Sequence, residues 1–299
     1  MNASRSQVSI AGGGYSAEIA LHGGQLMSLR SQDLHIVVPG AAAEGAFAGS
    51  VLAPWPNRIA GASYDHAGVT YALPAAEEGT GAALHGLLHG VDLEVILQKE
   101  HEVHLSGRIP AQEGYPFDLD VVLVYRVSAG TGLTWSLSAR YSPQSEDAPA
   151  TAPFGAGFHP YLTAGGAPLK ECRLRLPART HLTTKADGRA KSRKPVSGDY
   201  DLSNGPLLAG RKIDHPFTDL PEDGWTAELV HGPSGFVVRM IADSAWVQVY
   251  TGEQIERSGV AVEPMTCPPD AFSSGEDLIQ LSPGQWFRFG CSIEAIRTD

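Results

Sequence analysis

No run of about 18 apolar residues occurs in the chain, which excludes a membrane-spanning helix. The opening residues, MNASRSQVSIAGGG, lack the apolar core of an export signal, so a cytoplasmic protein without a membrane partner is expected. Basic residues are scarce: 22 Lys and Arg stand against 33 Asp and Glu, a formal net charge of −11 at pH 7. A surface of that sign gains nothing from counterion release off a phosphate backbone, so no nucleic acid partner is expected. Cysteine is scarcer still. Cys172, Cys267 and Cys291 are an odd number without CxxC spacing, which gives neither a disulfide framework nor a zinc site.

Sustained helical periodicity is also missing. What replaces it is a rhythm of short segments rich in Val, Ile, Leu, Tyr and Trp, separated by 34 glycines and 21 prolines spread along 299 residues. QVSIAG, EVHLSGRI, LDVVLVYRV, GFVVRMIA, AWVQVYTG and QWFRFGCSIEAI all read this way. In LTWSLSARY, Leu133, Trp135, Leu137 and Ala139 alternate with Thr134, Ser136, Ser138 and Arg140, the period of two expected of a half-buried strand. The chain is therefore expected to be all-β, a large antiparallel β-sandwich forming one domain over residues 1–299. The polar stretch from Arg179 to Tyr200 reads as an excursion from the sheet, with a domain boundary there as the alternative.

Against that background a few polar residues stand out. In PWPNRIAG, Pro54 and Pro56 stiffen the backbone that presents Asn57 and Arg58. His85 and His89 in LHGLLHG have the spacing of a helical metal pair, but the flanking glycines oppose a helix. His101 and His104, three apart on a strand-like run, point to opposite faces and do not chelate. His159 sits in PFGAGFHPYL, where small residues permit close approach and Pro160 follows; a buried histidine satisfied by backbone is the competing account. Glu263 ends the apolar alternation of GVAVEPMTCPPDAF, where a buried carboxylate needs a partner or a purpose. Its competing account is a structural ion pair with an arginine. Cys267 has no local base and reads as a packed thiol. Asp214 in KIDHPFTDL and Gln248 in AWVQVYTGE lie among aromatics, where a turn cap or a strand-surface role is the plainer reading.

Taken in order, NRIAG, LHG, the HPY segment, DHPF, VQVYTG and VEPMTCPPDAF resemble the aldose 1-epimerase (mutarotase) family, over the chain from about Gln7 to its end. The resemblance implies a β-sandwich with a sugar cleft. By position it makes His159 the general acid and Glu263 the general base, with Asn57, Arg58, His85, Asp214 and Gln248 holding the sugar. It implies interconversion of α and β anomers of a hexose by proton transfer and bond rotation, with a small-molecule sugar as partner. No cofactor and no metal are expected. Arg58 is expected close enough to Glu263 to help keep it ionised.

Departures mark a divergent bacterial-type branch with an HPYL form. Leu87, Val91 and Leu93 stand where the galactose-acting branch continues LHG differently, Phe158 replaces an asparagine before the histidine, and Pro160 is added. The sugar therefore stays open between a neutral hexose and an anionic one, a 6-phosphate or a sulfonated sugar, for which Arg108, Arg126, Arg173 and Arg175 are available. A non-catalytic sugar-binding module on the same fold has no need of both His159 and Glu263. A cupin-like metalloenzyme would suit an all-β, histidine-rich chain but lacks clustered ligands. Monomer and homodimer are equally compatible with exposed sheet edges.

Overall fold

The computed structural model describes residues 7–77, 79–185 and 189–297; the first residues of the export reading and the middle of the polar stretch lie outside them. Period-two segments become strands because each buries one face. Along Gly132–Tyr141, Leu133, Trp135, Leu137 and Ala139 are buried while Thr134 is exposed. The larger sheet has eight antiparallel strands in the order Glu94–Lys99, Glu102–Ile109, Leu119–Ser128, Gly132–Tyr141, Trp286–Arg297, Phe236–Ala242, Trp225–His231 and Cys172–Arg175. A four-stranded sheet from Gln7–Gly12 to Leu34–His35 joins the same core. The single α-helix among the described residues is Ala271–Ser274.

The second large sheet positions the site. It runs Ala190–Pro195, Thr180–Thr184, Asp214–Thr218, Trp246–Tyr250, Val260–Met265, Gly157–His159 and Ser50–Leu52, with Tyr161–Leu162 also paired to Val260–Met265. Val247, Val249, Val262 and Phe158 enter the main core. Strand alternation then sends Gln248, Glu263 and His159 to the opposite face. The two sheets meet at Trp135 and Phe158, whose rings stack with centroids 4.4 Å apart and planes 9° apart. Phe158, the departure from asparagine, is thus a core residue of the strand that carries His159.

The polar stretch is a correction. Instead of leaving the sheet, Thr180–Thr184 and Ala190–Pro195 form a hairpin that extends it beside Asp214–Thr218. The strand Ala190–Pro195 is an edge, and its charged residues suit an edge because they discourage further pairing. Arg193 also lies over the Trp246 ring, 5.0 Å from its centroid, and pairs with Glu276.

Candidate active site

The platform Pro54 to Gly61 is held from several directions. The Ala53–Pro54 bond is cis, and the Gly155 N–H donates to the Pro54 carbonyl at 2.6 Å. Arg58–Ile59 pairs with Ala83–Leu84, which brings LHG alongside NRIAG, and the His85 N–H donates to the Asn57 carbonyl at 2.9 Å. Asn57 has a φ of 54° and His85 a φ of 60°, a left-handed backbone that asparagine and histidine adopt more readily than most residues. From the far end of the chain, Asp270 Oδ1 accepts the Ala60 N–H at 2.9 Å while its own N–H donates to the Arg58 carbonyl at 2.7 Å. The LHG segment is a strand end followed by a 3-10 turn, Leu88–Gly90, so His85 and His89 do not share a helical face.

Beside this platform, His159 Nε2 lies 3.3 Å from Glu263 Oε1. Glu263 and Gln248 are cross-strand neighbours, and Gln248 Nε2 donates to Asp214 Oδ1 at 2.6 Å. The His85 ring meets the His159 ring edge-on at 5.3 Å and rests against Phe47 at 4.6 Å. All seven residues singled out in the sequence are therefore brought to one region of the fold, through pairings that connect segments far apart in the chain. Asn57, Arg58, Asp214 and Gln248 line a cavity of about 180 Å³ together with Thr80, Thr184, Lys185, Pro216 and Pro269. Pockets for drug-sized ligands run to roughly 300–1,000 Å³, so this one suits a single small polar molecule.

Electrostatics set the protonation of the pair. Burial pushes the Glu263 carboxyl well above its usual range, and nearby Asp214 adds to the effect. Burial also holds the His159 imidazole down, to about 4. His85 is held well down by burial, then by His159 and Arg58, and is a neutral ring. The His159–Glu263 pair thus rests as acid and neutral imidazole, sharing one proton. Buried His159 Nδ1, His85 Nδ1, Gln248 Oε1 and Glu263 Oε2 have no protein hydrogen-bond partner. Buried polar groups are nearly always paired, so four such atoms in one place point to a polar ligand.

Arg58 does lie within electrostatic reach of Glu263 and favours its ionised form, but burial and Asp214 outweigh it. Its direct partner is a residue the sequence did not mark: Nε and Nη2 donate to the two oxygens of Glu77 at 2.8 and 2.6 Å, and Nη1 donates to Asn57 Oδ1 at 3.1 Å. The competing account of Glu263, a structural ion pair with an arginine, is not what the described residues show: the ionisable partner beside its carboxyl is His159. Glu77, Thr80, Thr184, Lys185 and Phe47 carried no usable signal, because a loop glutamate or a hairpin lysine looks the same whatever it faces. Asp270 could have been found, since it stands in the quoted VEPMTCPPDAF motif.

Other candidates fall away. Cys267 is buried and its thiol is pushed up to about 12, so it stays protonated. His104 Nε2 is 2.6 Å from Glu102 Oε1. Arg108 meets Asp120, Arg126 meets Glu102 and Arg175 meets Glu228, all on the larger sheet, and Arg173 donates to the Gly205 carbonyl. A wider concavity of about 790 Å³ runs along the larger sheet past Thr134, Ser136, Ile241 and Arg288. None of the seven residues brought together beside the platform lines it, whereas Asn57, Arg58, Asp214 and Gln248 line the smaller cavity, with His159, Glu263 and His85 outside that lining.

A family model for aldose 1-epimerase matches residues 6–294. The chain belongs to the aldose 1-epimerase family. This family member is 37% identical over 296 residues to the Escherichia coli (strain K12) protein YihR, covering 98% of the chain and 94% of that protein. Its fold is that of the GalM/aldose epimerase homologue of C. elegans, with a TM-score of 0.86, 16% identity and coverage of 98% and 99% of the two chains. Galactose 1-epimerase from Lactobacillus acidophilus NCFM is similar too, with a TM-score of 0.79, 16% identity and coverage of 98% and 95%. The antiparallel β-sandwich expected from the period-two segments is thus shared with these structures. Among the described residues of this epimerase-family chain, no helix is long and apolar enough to cross a membrane.

Proposed function

We propose that the protein interconverts the α and β anomers of a hexose by acid–base ring opening. The observation that carries the reading is the buried His159–Glu263 pair at 3.3 Å, flanked by polar atoms without protein partners. Transfer of the shared proton from Glu263 to His159 gives carboxylate and imidazolium, a state that Arg58 favours through its effect on Glu263. The carboxylate then takes the C1 hydroxyl proton while the imidazolium protonates the ring oxygen. The C1–O bond to the ring breaks and an aldehyde forms. Glu263 is now an acid and His159 neutral, the arrangement that a poorly solvated site prefers. Rotation about C1–C2 presents the other carbonyl face, the ring hydroxyl attacks, and both protons return. Each positioned acid or base contributes on the order of 10²- to 10⁴-fold in rate.

Asn57, Arg58, His85, Asp214 and Gln248 hold the sugar in this reading, on a platform whose rigidity limits the ordering that binding costs. Freshly dissolved α-glucose and α-galactose, followed by polarimetry with and without protein, test it. Acceleration of the approach to equilibrium is expected, and no acceleration across a panel of neutral and anionic aldoses would overturn it.

A second reading, an epimerase of an anionic hexose, is favoured by one observation. Lys185 lines the same cavity as Asn57 and Arg58, together with Thr80 and Thr184. Hexose 6-phosphates and sulfonated sugars in the panel distinguish the two by the ratio of kcat/KM.

A further inference from the structure

Glu77 sits outside every segment that carries the family resemblance, yet it makes the shortest contact of the platform arginine. Its loop is braced on itself: the Glu77 N–H donates to the Ala82 carbonyl at 3.2 Å, the Gly81 N–H donates to the Glu77 carbonyl at 3.1 Å, and the Thr80 hydroxyl donates to Glu77 Oε2 at 2.5 Å. The Thr80 hydroxyl in turn accepts the Ala82 N–H at 3.2 Å. This brace points the carboxylate at Arg58. A bidentate fork of two parallel N–H donors fixes a guanidinium in plane as well as in place, which a single contact does not. With Nη1 on Asn57, the fork joins the two platform side chains into one unit.

We propose that Glu77 is a positioning residue for the sugar site: its carboxylate locks Arg58 against the platform and cancels much of its charge. The inference rests on the mutarotase reading for its kinetic consequences, though not for the locking itself. Around Arg58 the charged and titratable groups are Glu77, Asp214, Glu263 and His85, with Lys185 on the same cavity. Around Glu263 they are His159, Asp214, Arg58 and the Tyr161 phenol. Removing the Glu77 charge leaves all the others and adds one uncompensated positive charge to this set. Both protonation states of the pair then lose their protons more easily.

Two measurements test this with Glu77→Gln and Glu77→Asp. The first needs no catalysis: the Arg58 Nε–H resonance, assigned by its disappearance in Arg58→Lys, is expected to be protected from solvent exchange in the wild type. In Glu77→Gln its exchange should quicken about tenfold, the scale of one charge-assisted hydrogen bond. Equal exchange in both proteins would overturn the locking.

The second measurement is kinetic. Glu77→Gln should raise KM about tenfold with kcat changed less, and should move both limbs of the pH profile to lower pH; Glu77→Asp should recover most of the KM. An unchanged KM and unmoved limbs would overturn the positioning role, because a merely structural glutamate has no reason to shift the titration of Glu263. A wild type inactive on every sugar would overturn the proposed reaction and leave the exchange measurement to decide on Glu77. If Glu77→Gln fails to fold, Glu77→Asp carries both readouts, with slower exchange loss and a smaller KM change expected.

Discussion

His159 Nε2 and Glu263 Oε1 stand 3.3 Å apart on strands of the same sheet, both side chains buried. The pair works only while it holds one proton. Because burial lowers His159 to about 4, the second proton enters near that pH; because burial and Asp214 raise Glu263, the last proton leaves well above the usual carboxylate range.

The profile of kcat/KM against pH is therefore expected to have two limbs, an acid one near 4 and an alkaline one above the usual carboxylate range. It should fall about tenfold per unit below the acid limb, where neither group can act as base, and likewise above the alkaline limb, where neither can act as acid. A profile centred on a single midpoint near 6.5, the ordinary histidine value, would contradict the pair. Polarimetric rates in buffers from acid to alkaline pH decide.

Glu263→Gln keeps the shape and removes the base. A loss of about 10²- to 10⁴-fold in kcat is expected, with sugar binding by calorimetry within a few-fold of the wild type. Unchanged turnover would refute the role given to Glu263.

Phe158→Ala removes a fully buried ring stacked on Trp135 at 4.4 Å. Truncating such a ring costs about 3–5 kcal/mol, measurable as a lower urea midpoint. Restoring asparagine here should also destabilise, since a buried amide would face Trp135 without a partner in place of a stacked ring.

Asp270 is 6% exposed and has a φ of 63°. Asp270→Ala strips the acceptor from the buried Ala60 N–H and the Ser273 hydroxyl and puts alanine in a left-handed conformation. About 2 kcal/mol of stability should be lost, with a parallel fall in kcat/KM as the platform loosens. Asp270→Asn keeps an acceptor and tolerates the backbone, so it should recover most of both. Urea denaturation of the two variants side by side checks this.

Much of the site was legible because its residues violate the pattern around them. Glu263 and Gln248 interrupt runs of valine, and His159 follows a phenylalanine; polar groups among apolar ones on a strand have to be satisfied or used. PWPNRIAG was legible through the stiffness of proline. Glu77 and Lys185 were not, since each is an ordinary polar residue in a polar loop, and their importance comes from what lies across from them. The polar stretch from Arg179 to Tyr200 was misjudged for a related reason: an edge strand carries the charges of a loop while keeping the hydrogen bonds of a sheet.

By itself, the sequence determined the all-β class, most strand positions and the face each polar residue takes, because a pleated strand has a period of two and water forces the choice between faces. Tertiary structure alone decided which strands are neighbours, so that Gly157–His159 lies beside Val260–Met265 and Glu77 reaches Arg58. Those pairings join segments separated by long stretches of chain, and their free energy comes from burying shared surface, which no local window of residues contains.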